Sequence, residues 1–367
     1  MKLERVALYA GGFLGPFGGG VVTVLIPDLR DALHTTTAGA AATLTAYLIP
    51  FALLQLVSGT IGERIGLART IRTAYVAYAA ASAAVVLTST LVPFLALRGL
   101  QGAANAFTTP LLVASLADVT PRASLGRAMA AFAAVQTIGV VMAPLVGGIA
   151  GAIDYRLAFI VPAIAALALA AVPLAPHRRE AEGVATVRSA LTRRTMLLSA
   201  FAFLGYMSTI GVAFLVALRA ADRFGLGSDA RGLLLAGFGF AGMLAGRPIG
   251  SLIDRTGAPR MLAVGAFASA LSIPLVGLAP STGALALTWA AAGVASQIVW
   301  ATVYTLAVDA APGNRAGAVS IVGACRFAGN AAAPLAWLPL YNLHAWLPFA
   351  AAGAALGLLS GVVSARR

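Results

Sequence analysis

The chain has 367 residues, of which 60% are apolar and only 10% charged, with a formal net charge of +13. Its mean hydropathy is +0.91. A soluble domain carries about 25% charged residues, so this composition excludes an ordinary water-soluble fold and points to a chain filled with membrane-spanning helices.

Taken in order, the apolar runs predict twelve spans. The first, Arg5 to Pro27, carries Gly11, Gly15 and Gly19 four residues apart, a small-residue stripe that lets helix backbones approach closely in lipid. The next five run from Ala38 to Ser58, Thr70 to Ser89, Val92 to Leu116, Ala128 to Ala152 and Leu157 to Ala175. A polar, Arg-rich segment from His177 to Arg194 interrupts the pattern. Six more come after it: Met196 to Val216, Gly232 to Ile253, Met261 to Leu278, Leu285 to Ala307, Ala316 to Leu340 and Ala345 to Val363. This divides the chain into a bundle over 1–176, a loop over 177–194 and a bundle over 195–367.

Met1 to Arg5 leads into a full-length span with no small-residue cleavage site, so no cleavable signal peptide is expected. With Met1 in the cytoplasm, seventeen loop and terminal Lys and Arg residues fall on the cytoplasmic side against five on the other. The positive-inside rule therefore places both termini and the central loop in the cytoplasm. The basic excess is loop charge, and no nucleic-acid partner is needed to explain it. One cysteine, Cys325, excludes an internal disulfide and a thiolate metal site. The three histidines, His34, His177 and His344, fall outside the apolar runs.

A repeat underlies the twelve spans. Gly59-Thr-Ile-Gly-Glu63-Arg64-Ile-Gly66-Leu-Ala-Arg69 is a charged, glycine-broken turn between two spans. It recurs as Gly250-Ser-Leu-Ile-Asp254-Arg255-Thr-Gly257-Ala-Pro-Arg260, an offset of 191 residues from Gly59 to Gly250. Its glycines, Gly59, Gly62 and Gly66, permit tight approach and positive φ. At the same offset Gly102 maps to Gly293, which sets Trp289 opposite Arg98. The run Gly139-Val-Val-Met-Ala143-Pro144-Leu-Val-Gly147-Gly148 has a counterpart at offset 190, with Gly139 to Pro144 on Gly329 to Pro334, which sets Arg326 opposite Gln136.

The doubled turn resembles the loop signature of the major facilitator superfamily. The run Arg98-Gly-Leu-Gln101-Gly102-Ala-Ala-Asn105 is similar to the family's arginine-bearing fourth-helix motif. Gly139 to Gly148 resembles the fifth-helix motif of its drug:proton antiporter branch, with Ala143 where a glycine is usual. Tyr155-Arg-Leu-Ala-Phe159 resembles the segment that succeeds that helix in drug exporters. The resemblance implies an all-α integral membrane protein of two pseudo-symmetric six-helix bundles that works as a monomer on a small-molecule substrate, with no cofactor and no metal. It also implies that Gly59, Glu63, Arg64, Gly66, Arg69, Gly250, Asp254, Arg255, Gly257 and Arg260 gate the cytoplasmic side. Glu63 and Asp254 would each face a helix start in the opposite half, where the helix dipole stabilises an acid.

Polar residues inside a bilayer are costly and mark function or interhelical bonding. Arg98, Gln101, Asn105 and Thr108 form a stripe on the fourth span, Gln136 lies deep in the fifth, and Arg326 and Asn330 share a face of the eleventh. Gln297, Trp300 and Tyr304 share a face of the tenth, as packing or as a substrate wall. All twelve acids fall in loops or at span ends. Asp28, at the end of the first span, is the remaining acid for proton coupling, either paired with Arg98 or as a solvated cap. Arginines without a mid-span acid favour anionic or neutral polar solutes. A membrane-embedded enzyme would show clustered acids or a His/Asp pair at a helix end, and neither is present. The reading is a secondary transporter driving proton-coupled efflux of a drug or metabolite. Uptake or facilitated diffusion of a small anionic or neutral metabolite is the alternative. The abundance of arginine and alanine points to a bacterial inner membrane.

Overall fold

A computed structural model describes residues 2–121, 124–174, 187–312 and 314–364. The chain divides into two units, Met1–Glu182 with Gly227–Gly232, and Gly183–Leu226 with Leu233–Arg367.

The first unit holds α1 (Lys2–Gly20), α2 (Ile26–Ala32), α3 (Thr37–Ile65), α4 (Leu67–Val86), α5 (Leu91–Asn105), α6 (Thr109–Asp118), α7 (Leu125–Ile153) and α8 (Leu157–Ala171). The second holds α9 (Val187–Ala190), α10 (Arg193–Ser208), α11 (Ala213–Phe224), α12 (Ser228–Thr256), α13 (Ala258–Leu278), α14 (Thr282–Val308), α15 (Arg315–Leu343) and α16 (Leu347–Ser364). The first turns of α12 belong to the first unit. Hydroxyl and amide caps start several of these helices. Thr36, Thr192, Ser281 and Asn314 each accept from the backbone N–H three residues on, satisfying one of the donors a helix start leaves open.

Helix lies over the core of each of the twelve expected spans. Among the described residues, eight helical stretches are long and apolar enough to cross a membrane, including Leu3–Ala32, Thr37–Gly59 and Gly317–Leu343. The 29-residue helices α3, α7, α12 and α15 are each about 43 Å long, so their ends outrun a hydrocarbon core of about 30 Å. Large apolar side chains face outward, including Leu53, Ile153, Leu287, Leu335 and Leu358. Such a surface suits lipid and would aggregate in water.

Three expected spans are broken helices. A 3-10 turn at Thr23–Leu25 separates α1 from α2 after Gly18, Gly19 and Gly20, and Pro27 opens α2. Residues 106–108 separate α5 from α6, and Pro110 sits in the first turn of α6, where its missing N–H costs no intrahelical bond. A second 3-10 turn, Ile210–Val212, separates α10 from α11, which then runs on to Phe224, eight residues past the expected end at Val216.

The doubled turn is also different from the expectation. Gly59 to Ile65 is not a turn but the last turns of α3, and the chain reverses at Gly66 alone, with φ +102°. Gly250 to Thr256 likewise ends α12, and only Gly257 breaks it, with φ +86°. The physical reason is that a single positive-φ residue suffices: Gly66 N–H still bonds Gly62 O at 2.9 Å, and Gly257 N–H bonds Ile253 O at 2.9 Å. Most of the expected central segment, 177–186, lies outside the described residues; beyond it α9 and the start of α10 are helical.

Within the first unit α1 packs along α7, α3 along α5, and α4 along α8 and α5. Within the second, α10 packs along α15, and α13 along α14 and α16.

Candidate functional site

In the first unit the polar stripe of α5 forms one network. Arg98 is 1% exposed. Its Nη1 donates to Gln101 Oε1 at 2.6 Å, and Gln101 Nε2 donates onward to Ser82 Oγ on α4 at 2.8 Å. Arg98 Nε donates to Thr43 O on α3 at 3.5 Å, and the guanidinium lies over the Tyr47 ring, 4.4 Å from its centroid. Asn105 Nδ2 donates to Tyr47 Oη at 2.5 Å and to Gly15 O on α1 at 2.8 Å, while Thr108 donates to Asn105 Oδ1 at 2.8 Å. Arg98 thus clamps α3, α4 and α5, with one nitrogen, Nη2, buried and unpartnered among the described residues.

Asp28 does not pair with Arg98. Its carboxylate accepts from Arg231 Nη2 at 2.7 and 2.9 Å and from Ser228 Oγ at 2.6 Å, and Arg231 Nη2 also reaches Ser228 Oγ at 2.6 Å. The reason is the break in the first span. Asp28 sits in the first turn of α2, beyond the 3-10 turn, where residues 227–232 pack, while Arg98 turns inward to Tyr47. Nor is Asp28 a solvated cap, since it is 23% exposed and its partner Arg231 4%. Sequence reading missed Ser228, Arg231 and Tyr47. Tyr47 had a signal, because Phe238 stands at the same offset of 191 from it that relates Arg98 to Trp289.

The α7 motif is a seat for neighbouring backbone. A Cβ on Gly139 would collide with the Phe13 carbonyl of α1, one on Gly147 with the Val21 carbonyl, and one on Gly148 with the Ser228 carbonyl and Gly232. Ala143 is fully buried beside Gly20, and the Pro144 carbonyl lies against Gly232. Gln136, half-buried on the same helix, stands outside the Arg98 network.

In the second unit Arg326 is the centre. Its guanidinium carbon lies 4.4 Å from the centroid of Phe327, 5.0 Å from that of Tyr206 on α10 and 5.3 Å from that of Tyr304 on α14. Trp300 meets Tyr206 edge-on at 4.7 Å and donates Nε1–H to Ser296 Oγ at 2.8 Å. Trp300 therefore belongs to the aromatic wall and to the apolar cluster beneath it. Arg326 Nε is buried with no partner among the described residues. Asn330, one turn on, faces Gly211 in the 3-10 turn, and Gln297 lies beside Gly242 and Gly246 of α12.

Of the residues expected to gate, Arg64, Arg69, Asp254, Arg255 and Arg260 are exposed at the helix ends. Glu63 lies in α3, and its side chain is outside the described residues.

The family model for the Major Facilitator Superfamily matches residues 8–244 and 195–366. An MFS-type transporter of Mycobacterium tuberculosis, EfpA, is 29% identical over 56% of the chain, which spans 40% of that relative's length. The multidrug efflux protein YfmO of Bacillus subtilis is 27% identical over 86% of the chain and 81% of its own. Among solved structures, a D-xylose-proton symporter superposes with a TM-score of 0.79 at 16% identity, covering 98% of this chain and 96% of its own. A POT family transporter bound to 5-aminolevulinic acid does so with a TM-score of 0.81 at 13% identity, covering 98% and 95%. At these identities the solved structures speak to fold alone.

Proposed function

The chain belongs to the Major Facilitator Superfamily, a multi-pass membrane transporter and not an enzyme, and on that premise we propose that it exports a drug or metabolite against a proton gradient by alternating access. The observation that carries export is the α7 run Gly139 to Gly148, which seats α1 and the first turns of α12 through carbonyl contacts that only glycine admits. The likeness to a multidrug efflux protein over 86% of the chain supports the same direction.

In this reading the chain spans a bacterial inner membrane twelve times as two six-helix bundles, with both termini cytoplasmic, and acts as a monomer. Gly66 and Gly257 hinge the cytoplasmic helix ends, and the exposed charges around them (Arg64, Arg69, Asp254, Arg255, Arg260) gate that side. Asp28 is the coupling acid. A proton on its carboxylate removes the charge that holds Arg231, and the first turns of α12 are released. The Arg98 network is structural, and substrate selection falls to the second unit.

Facilitated diffusion or uptake is the second reading, favoured by the placement of every acid in a loop or at a span end. Proteoliposomes with an imposed pH gradient separate the two. Antiport predicts that ethidium or fluorescein, loaded as cationic and anionic reporters, moves against the proton flow, with proton release that depends on the reporter. Equilibration indifferent to the gradient would establish the facilitator instead.

A further inference from the structure

We propose that Arg326 and its three rings form the anion-recognition subsite of the second unit, built for a carboxylate carried on an aromatic or other flat apolar body. The inference rests on the transporter reading and names the substrate class of that protein. Arg326 lies eleven residues into α15, about 17 Å along the helix. Phe327, Tyr206 and Tyr304 surround its guanidinium at 4.4 to 5.3 Å. The rings stabilise the cation through their quadrupoles but supply no acceptor for its N–H groups. Among the described residues no carboxylate or carbonyl bonds this guanidinium, and its Nε is sealed from solvent without a partner.

The two core arginines differ in how many bonds their own unit supplies. Arg98 donates to a side-chain amide and a backbone carbonyl and leaves only Nη2 buried and unpartnered, whereas Arg326 has its Nε buried and unpartnered and meets aromatic rings in place of acceptors among the described residues. A guanidinium fork matches a planar two-oxygen acceptor, which selects a carboxylate over a single-point anion. The walls then select what the carboxylate is attached to. Tyr206, Trp300 and Phe327 form a continuous edge-to-face aromatic set, with Tyr206 4.7 Å from Trp300 and 6.0 Å from Phe327. Asn330, half-buried one turn beyond Arg326, adds an amide for a second polar group. A lipophilic cation is disfavoured at this place by Arg326 itself.

Binding measured on the purified full chain in lipid nanodiscs, with no gradient imposed, tests the proposal without requiring transport. The probes are 2-naphthoate, 2-naphthylmethylammonium and 2-naphthylmethanol, read by calorimetry and by intrinsic tryptophan fluorescence. We expect saturable binding of the naphthoate, at least about tenfold tighter than the ammonium or the alcohol, as a charge-assisted bond supplies. Arg326→Met should lose that tenfold. Arg326→Lys should recover only part of it, because charge returns without the fork. The melting temperature of each variant controls for folding, and Arg326→Lys carries the test should the methionine variant be misfolded. Naphthoate affinity unchanged in both variants, or ammonium bound as tightly as naphthoate, overturns the proposal. Naphthoate bound through Arg326 without proton-coupled movement in proteoliposomes would uphold the subsite and overturn the antiport reading alone.

Discussion

The two units treat one backbone arrangement in opposite ways. A Cβ on Gly102 would strike the Tyr47 carbonyl, and one on Gly293 would strike that of Phe238. These two pairs stand at the same offset of 191 residues. Above the first approach Arg98 lies over Tyr47 at 4.4 Å; above the second Trp289 lies against Phe238 at 4.5 Å. The cation of one unit is replaced by an aromatic in the other. At another helix pair the cation is in the second unit instead, where Gly139 meets the Phe13 carbonyl and Gly329 the Phe203 carbonyl. There Gln136 stands in the first unit and Arg326 in the second. The repeat therefore preserves glycine contacts and exchanges polar side chains. Arg98 is hydrogen-bonded within its own unit, whereas Arg326 is met by rings.

The largest expected effect breaks the shared part of this comparison. Gly102→Val and Gly293→Val each force a side chain into a carbonyl, and each should cost about 3 kcal/mol, read as a drop in melting temperature or loss of folded protein in detergent. Next, Arg98→Met strands Gln101 and leaves the Thr43 carbonyl without its side-chain donor, and should cost about 2–3 kcal/mol. Arg326→Met removes a half-buried cation that has ring contacts but no recorded hydrogen bond among the described residues, and should change stability by less than about 1 kcal/mol. A double-mutant cycle on Asp28→Asn and Arg231→Met should give a coupling of about 1–2 kcal/mol, while Asp28→Asn with Arg98→Met should be additive. The smallest effects concern the glycines of the first signature. Gly66→Ala, at φ +102°, should destabilise by about 1 kcal/mol, whereas Gly59→Ala, helical with open space at its Cβ, should stabilise by about 0.5–1 kcal/mol.

The sequence pattern placed Gly66 and Gly257 in the doubled signature but named Gly59, Gly62 and Gly66 alike as able to take positive φ; only Gly66 and Gly257 do so in the two signatures. It also located the α5 stripe, because i, i+3, i+7 spacing puts Arg98, Gln101 and Asn105 on one face whatever they touch. It misjudged Gly59 to Ile65, where charge and glycine read as a turn; a helix end outside the hydrocarbon tolerates both. The partner of Asp28 was beyond it for a different reason. Arg231 is 203 residues away in the chain, and the break after Gly20 that turns Asp28 toward it leaves no periodic signal. The aromatic setting of Arg326 was illegible for the same cause, since Tyr206, Tyr304 and Phe327 come from three helices whose mutual rotation only packing decides.

The division of labour between Arg98 and Arg326 is open to one paired measurement: melting temperature and substrate-stimulated transport of Arg98→Met and Arg326→Met in the same lipid. We predict that Arg98→Met melts markedly lower, and that Arg326→Met melts with the wild type yet loses transport. A destabilised Arg326→Met that still transports, beside an Arg98→Met of unchanged stability, would contradict it.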